Sequence, residues 1–234
     1  MTTLADRATT DHAAAESLPA GVRVRRYALI SLPVLAGICL TVGAIADPAA
    51  GISGDRMFKI YAEHPDALQI KSLAYHWAYA FWIGTALLVA GLVRGRGVWL
   101  ANVAGVLGFA GMTTLPGLLF ADWVDSATGQ LWGVEGVNAM HDRVADISWG
   151  MPYFQLPGFA GLALALPLAA LALWRARVVR WWAPVMVIAA FAAFMISYAT
   201  WPGCVLATAF LAVFSYELAR GTRIVAVGPH GAVE

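Results

Sequence analysis

The chain has 234 residues, 60% of them hydrophobic and only 12% charged, with a formal net charge of +1 and a mean hydropathy of +0.70. A water-soluble domain carries about 25% charged residues, so the composition excludes an ordinary soluble globular protein. Nothing in the charge balance points to nucleic acid. Two cysteines, Cys39 and Cys204, are too few for a disulfide framework or a cysteine metal site and read as small buried side chains.

Residues 1–22 are polar and rich in Ala and Thr, which predicts a disordered tail. Arg23, Arg25 and Arg26 then precede an apolar run ending in Ala44-Ile45-Ala46. This resembles a signal peptide, but the run exceeds the roughly 7–15 residues of a signal core, so an uncleaved anchor is expected. A bilayer core of about 30 Å takes about 20 apolar helical residues to cross. That length predicts spans at 27–46, 72–93, 97–121, 150–174, 181–199 and 204–219. The last two come from a charge-free run, 181–216, which Trp201-Pro202-Gly203 divides by a turn. The runs are continuously apolar, not alternating, which favours helices over a barrel.

Orientation follows from Lys and Arg. Arg7, Arg23, Arg25, Arg26, Arg94, Arg96, Arg175, Arg177, Arg180, Arg220 and Arg223 fall on one side; Arg56, Lys59, Lys71 and Arg143 fall on the other. The first side is therefore cytoplasmic. Nine of the 14 acidic residues lie on the opposite, outer side. The expected fold class is an all-α polytopic membrane helix bundle: six transmembrane helices, N-in/C-in, with short amphipathic helices on the outer face. The transmembrane domain covers 23–223 and a cytoplasmic tail 224–234. The expected location is a bacterial plasma membrane.

The first outer loop, Asp47–Lys71, carries Met57, Ile60, Tyr61, His64 and Leu68 at helical spacing. A helix over 55–64 should roof the bundle, with Pro65 breaking it and starting the next helix. The segment Asp122–Trp149 predicts a second short amphipathic helix from Met140, Val144 and Ile147. Leu32-Pro33-Val34-Leu35-Ala36-Gly37 reappears as Leu156-Pro157-Gly158-Phe159-Ala160-Gly161, the pattern an inverted repeat would leave. Two such short, common-residue segments also arise by chance. Glu217 is expected to pair with Arg220 at the inner surface.

His76 is the only ionisable side chain within predicted spans two to five. Intramembrane ionisable residues are costly and mark function. His76, Asp122, Asp142 and Asp146 should end at similar depth and form an acid–base pocket walled by Tyr79, Trp123, Trp149 and Tyr198. The bland alternative is an interfacial histidine beside a solvated acidic surface with Arg143 paired to an Asp. No cofactor is required and no established metal-ligand motif occurs, although carboxylates including Asp125 are donors that a divalent metal accepts. The aromatic-plus-acid lining suits an apolar or cationic ligand. The expected partners are membrane lipid and an apolar small-molecule substrate, with room for a protein partner.

Tyr75-His76-Trp77, Asp122-Trp123-Val124-Asp125, Asp142-Arg143-Val144-Ala145-Asp146 and the Leu171-Ala172-Leu173-Trp174-Arg175 exit of span four are the most distinctive strings. On these, residues 27–220 resemble small six-span hypothetical proteins of high-GC actinobacteria. That resemblance implies fold and membrane location, and no activity. Size and aromatic-plus-acid character are similar to compact membrane terpene and lycopene cyclases, but the acidic Pro-x-Glu-x-Glu-type signature is absent. Three functions follow in order of preference: an enzyme of cyclase or hydrolase type on a lipid-like or isoprenoid substrate at the outer face, a non-catalytic accessory or sensor subunit, and a small-molecule transporter. In a cysteine-free background, single cysteines placed at 60 and 135 should react with an impermeant thiol reagent on intact cells, and one at 95 should not. Labelling at 95 in sealed cells would overturn the orientation.

Overall fold

The computed structural model describes residues 19–226. Seven helices make up the fold: α1 (Ala20–Ala46), α2 (Asp55–Glu63), α3 (Pro65–Leu92), α4 (Val98–Ile147), α5 (Met151–Arg175), α6 (Trp182–Ile196) and α7 (Trp201–Ala226). There is no strand among the described residues. Five helices, α1, α3, α4, α5 and α7, are long and apolar enough to cross a membrane, as a multi-pass membrane protein requires. The expected tails lie mostly outside the described residues. Where they do not, the chain is helical: α1 starts at Ala20 and α7 runs through Ala226.

The long helices run up and down, and their contact registers show it. Gly43 of α1 meets Tyr75 of α3, and Leu32 lies against Gly84, so these two are antiparallel. In α3 and α4, Ala90 faces Gly105 while Ile83 faces Gly111. In α4 and α5, Gly111 faces Gly161 and Gly117 faces Phe154. The last helix returns beside the first. Thr41 and Thr208 share a hydrogen bond of 3.0 Å, and Arg26 Nε donates to Thr222 Oγ1 at 3.3 Å. Both ends of the described chain therefore lie at one end of the bundle, together with Arg94, Arg96, Arg175, Arg177 and Arg180.

Lipid tails are as apolar as leucine, so helices in a bilayer associate through close packing and interhelical hydrogen bonds. Small residues fill the seams accordingly. Ala36, Ala86, Ala104, Ala165, Ala169, Ala183, Ala190 and Ala207 are fully buried. The α4–α5 seam is tight: a methyl group on Gly161 would stand 2.6 Å from the Leu107 carbonyl oxygen and 2.7 Å from Gly111 Cα. Gly37 meets Thr208 of α7 in the same manner. The two glycines of the repeated Leu-Pro string thus both mark close helix approaches.

Two elements differ from expectation. Helix α4 does not end with its span. It continues past residue 121 to Gly133, where φ 69° and ψ −174° break it, and then resumes to Ile147. Only glycine adopts that backbone region freely. The resumed arm folds back on the helix it left: Gly129 lies near Val137, Thr128 donates to Met140 Sδ, and Asp125 pairs with His141. These pairs are nearly equidistant from Gly133, the signature of a helical hairpin. The expected amphipathic helix in 122–149 is therefore the return arm of that hairpin. Second, α6 has only 15 residues, about 22 Å of helix, shorter than the span expected over 181–199. Schellman turns close both α5 before it and α6 itself. Val178 N donates to Leu173 O with Arg177 at φ 60°, and Ala199 N donates to Phe194 O with Tyr198 at φ 51°. Glycine is usual at these positions.

The roof helix is present as α2. Tyr61 and Phe58 are buried, and Met57 and Ile60 pack onto Ala49, Tyr61 and Leu68. Pro65 stands at the first turn of α3. Phe58 was not part of the predicted stripe, and His64 is exposed at the junction between the two helices.

Gly161→Ala should lower the thermal midpoint of the detergent-solubilised protein, because backbone atoms on α4 cannot step aside; overpacking of this kind costs about 1–3 kcal/mol. Gly91→Ala meets nothing within 4 Å and should leave the midpoint unchanged or raise it slightly through helix propensity. Equal midpoints for both variants would show that the α4–α5 seam is not as tight as described.

Candidate functional site

The polar groups that matter converge where the cap meets the bundle. Lys71 is only two turns into α3 yet 8% exposed. A buried ammonium is tolerated only when its donors are used. Lys71 Nζ donates to Asp122 Oδ2 of α4 at 2.8 Å and to Tyr61 Oη of α2 at 2.7 Å. Asp47, just after α1, places Oδ2 at 4.0 Å from the same nitrogen. Ser72 Oγ donates to Asp122 Oδ2 at 3.4 Å. Four elements are thus tied to one cation.

The cap around this group is internally bonded. Ser126 Oγ donates to Tyr61 O at 2.8 Å and Gln130 Nε2 to Ala62 O at 3.2 Å, fastening α2 to the hairpin of α4. Asn138 Nδ2 on the return arm donates to Asp55 Oδ1 at 3.0 Å. The buried Asp125 holds His141 Nε2 at 2.7 Å, and Phe58 sets its ring edge against that imidazole.

Beside the ammonium lies a cavity of about 650 Å³. Its walls are the α1–α2 connection, Tyr61, and the end of α6 with the turn after it, including Phe194, Met195, Tyr198 and Ala199. The short α6 explains its depth. Tyr75 Oη donates to Ala199 O at 3.4 Å, so that turn stands level with Tyr75, ten residues down α3 from Pro65. That is about 15 Å of helix. The turn is strained, with Tyr198 and Ala199 at φ 51° and 56°. Such conformations persist only where the surroundings over-determine them, and here Tyr75 and Cys204 both donate to the Ala199 carbonyl.

Two groups of the ion-pair cluster, Asp47 and Tyr61, line this cavity. Asp47 Oδ1 accepts the Ala49 amide at 3.0 Å, and its Oδ2 is the oxygen nearer Lys71. Tyr61 Oη already accepts from Lys71, so its own hydrogen remains to be donated. Burial pushes the Tyr61 phenol up from its ordinary value, the neighbouring ammonium offsetting part of the rise. The residue is a proton donor over the physiological range.

The residues predicted from sequence are dispersed. Asp122 belongs to the cluster, bonded to Lys71. His76 makes no hydrogen bond or ion pair among the described residues. It sets its ring edge against Trp77 and, with Tyr79, Ala80, Met112 and Leu115, lines a void of about 10 Å³. Asp142 and Asp146 are exposed on the return arm, without ion pairs among the described residues, and Arg143 is likewise exposed. Trp123 borders a separate cavity with Pro65, Leu68, Gln69, Ser126, Ala127 and Gln130. Trp149 is 86% exposed, and Tyr198 walls the large cavity away from His76. No described cavity is shared by His76 and any of the three aspartates. The pairing about Gly133 brings Asp142 and Asp146 back alongside the Asp122 end of the helix, but on the exposed side of the return arm. Among the described residues no group of three or more His, Cys, Asp or Glu side chains is arranged to hold a metal.

Sequence reasoning missed Lys71, Asp47 and the role of Tyr61. In the sequence, Lys71 marks only the end of the first outer loop, Asp47–Lys71. A signal existed, since it is one of only two lysines beside 13 arginines. Glu217 also differs from expectation. It makes no ion pair with Arg220; it is 2% exposed, and its Oε1, like Ser215 Oγ, lacks a hydrogen-bond partner among the described residues. Comparison with known protein families, curated proteins and solved structures returns no match.

Lys71→Met should strand Asp122, costing about 3 kcal/mol, the lower end for breaking a largely buried pair because Asp122 is partly exposed. Pairing it with Asp122→Leu should recover most of that loss. Thermal unfolding in micelles reads both; a double variant no better than the single would mean that the pair is not coupled.

Proposed function

We propose that the chain is a plasma-membrane protein of six transmembrane helices, both termini cytoplasmic, that takes a lipid-like substrate into the cavity over the α6–α7 turn and acts on its polar head by proton transfer. Parity supports the sixth crossing. Helix α7 starts at the end of the bundle opposite to where α5 finishes, so α6 must traverse it despite its length. The Arg-rich end supports the orientation. The cap and the cavity then face outward.

The observation that carries the functional reading is the Lys71–Tyr61 hydrogen bond of 2.7 Å beside a cavity that Tyr61 and Asp47 line. Tyr61 can give a proton to the substrate head, and the ammonium 2.7 Å from its oxygen would steady the phenolate that remains. Asp47 can take a proton from the head. The pair therefore supports redox-neutral acid–base chemistry, with Asp122 holding the ammonium in place. Phe194, Met195 and Tyr198 supply the apolar wall that a lipid-like body needs. This reading keeps the substrate class expected from sequence and moves the chemistry from His76 to Tyr61 and Asp47.

A second reading, a non-catalytic accessory subunit, is favoured by Leu131, Trp132 and Trp149, which are 70%, 68% and 86% exposed on the cap hairpin and just after it. The two separate experimentally. Purified protein in nanodiscs, incubated with a total bacterial lipid extract and followed by mass spectrometry, should convert one lipid species. Tyr61→Phe should slow that conversion at least 100-fold, of the order a lost general acid gives, and His76→Ala should not. Loss of conversion with His76→Ala and not with Tyr61→Phe would return the chemistry to His76; no conversion by any form would favour the accessory reading.

A further inference from the structure

The charges at the cap–bundle junction do not balance. Asp47 and Asp122 present two carboxylates to one ammonium, and their side chains are 13% and 23% exposed against 9% for Lys71. Asp122, at 2.8 Å, takes the ammonium as a direct partner; Asp47 stands at 4.0 Å. Low-exposure negative charge without a close counter-ion is costly. The uncompensated carboxylate is also the one that faces the cavity, whose described lining contains no Lys, Arg or His. Tyr61, Phe194 and Tyr198, the last 84% exposed, line the same cavity. A carboxylate and aromatic side chains in one cavity are the chemistry that recognises organic ammonium groups.

We infer that the cavity selects an amphiphile whose head is a cationic amine, with Asp47 as its counter-ion and Tyr198 as an aromatic wall. The inference rests on the lipid-binding reading above and names its ligand class. The cation completes the cluster: two carboxylates are then matched by two positive charges. The alkyl chain leaves over the apolar end of α6, where Phe194 and Met195 line the exit.

Equilibrium dialysis of the full chain in zwitterionic nanodiscs tests this with three probes of equal chain length: dodecylammonium, dodecanol and dodecyl sulfate. Dodecylammonium should bind saturably and at least tenfold more tightly than the other two, the scale of one charge-assisted contact. Asp47→Asn should weaken it about tenfold, and Asp47→Glu should restore most of the affinity. Tyr198→Ala, on an exposed side chain, should weaken it severalfold without affecting folding. Equal binding of dodecanol or dodecyl sulfate that is still lost in Tyr198→Ala would overturn the cation preference and leave the lipid cavity standing. Binding of all three probes indifferent to Asp47 and Tyr198 would overturn both. Displacement of dodecylammonium by millimolar magnesium alone would assign the carboxylate to a metal ion and overturn the amine.

Discussion

The fold turns on one buried ammonium. Lys71 has three N–H donors, and the chain brings oxygens from α2, α4 and the residue after α1 to meet them. Removing two charges from water costs several kcal/mol for each ion, and their attraction repays it only with good geometry and further hydrogen bonds. Such a pair adds little net stability, but it penalises every arrangement in which its partners are apart. The position of α2 over the bundle, the depth at which α4 leaves the hydrocarbon, and the angle of the α1–α2 connection are therefore linked variables. Lysine suits this task better than arginine would. Its compact charge accepts partners from separate directions, whereas a guanidinium demands a planar set.

Much of the architecture was legible because lipid removes options. Apolar runs of fixed length can only be helices there, so α1, α3, α5 and α7 follow closely from hydropathy. Helix α2 was readable from Tyr61 and its helical neighbours, since an amphipathic stripe needs a surface to lie on. The failures have a common cause. The predicted site assumed that residues close to a span end share one depth. Shared depth is not enough: Asp122 is bonded to the cluster, whereas Asp142 and Asp146, returned to a similar level by the hairpin, are exposed on its outer side. Nothing in local propensity separates a helix that stops at residue 121 from one that carries on to Gly133. Lys71 was missed for the converse reason. Its partners lie 10 and 51 residues away, and a charge at a span boundary reads as solvated until those partners are known. His76 stands out in the sequence as a lone imidazole among apolar residues, and it lies in a small niche beside Trp77 and Tyr79, apart from the cluster.

The short α6 shapes the outer surface. Its companions rise past the turn at Ser197–Thr200, so the bundle is lower on that side. Backbone strain at Tyr198 and Ala199 belongs to this arrangement. A glycine would relieve it, but it would also remove the phenol from the rim. The side chain stands at the rim of the cavity, on the side that the proposed amphiphile would have to pass.

The seam between the first and last helices has a consequence for biogenesis. Arg26 and Thr222 meet at a sequence separation of 196, and Thr41 and Thr208 at one of 167. A ribosome delivers helices in order, N-terminal elements first. Helix α1 therefore enters the membrane with one flank, including Gly37 and Thr41, facing lipid until nearly the whole chain has been made. Its polar hydroxyl waits there for a partner that is synthesised last. The bundle cannot close progressively from one end; it closes once, when α7 arrives. A chain cut short before Trp201 would keep the seams among the first five helices and still display open faces along α1 and α6, the kind of exposed polar and small-residue face by which membrane quality control distinguishes unfinished proteins from finished ones.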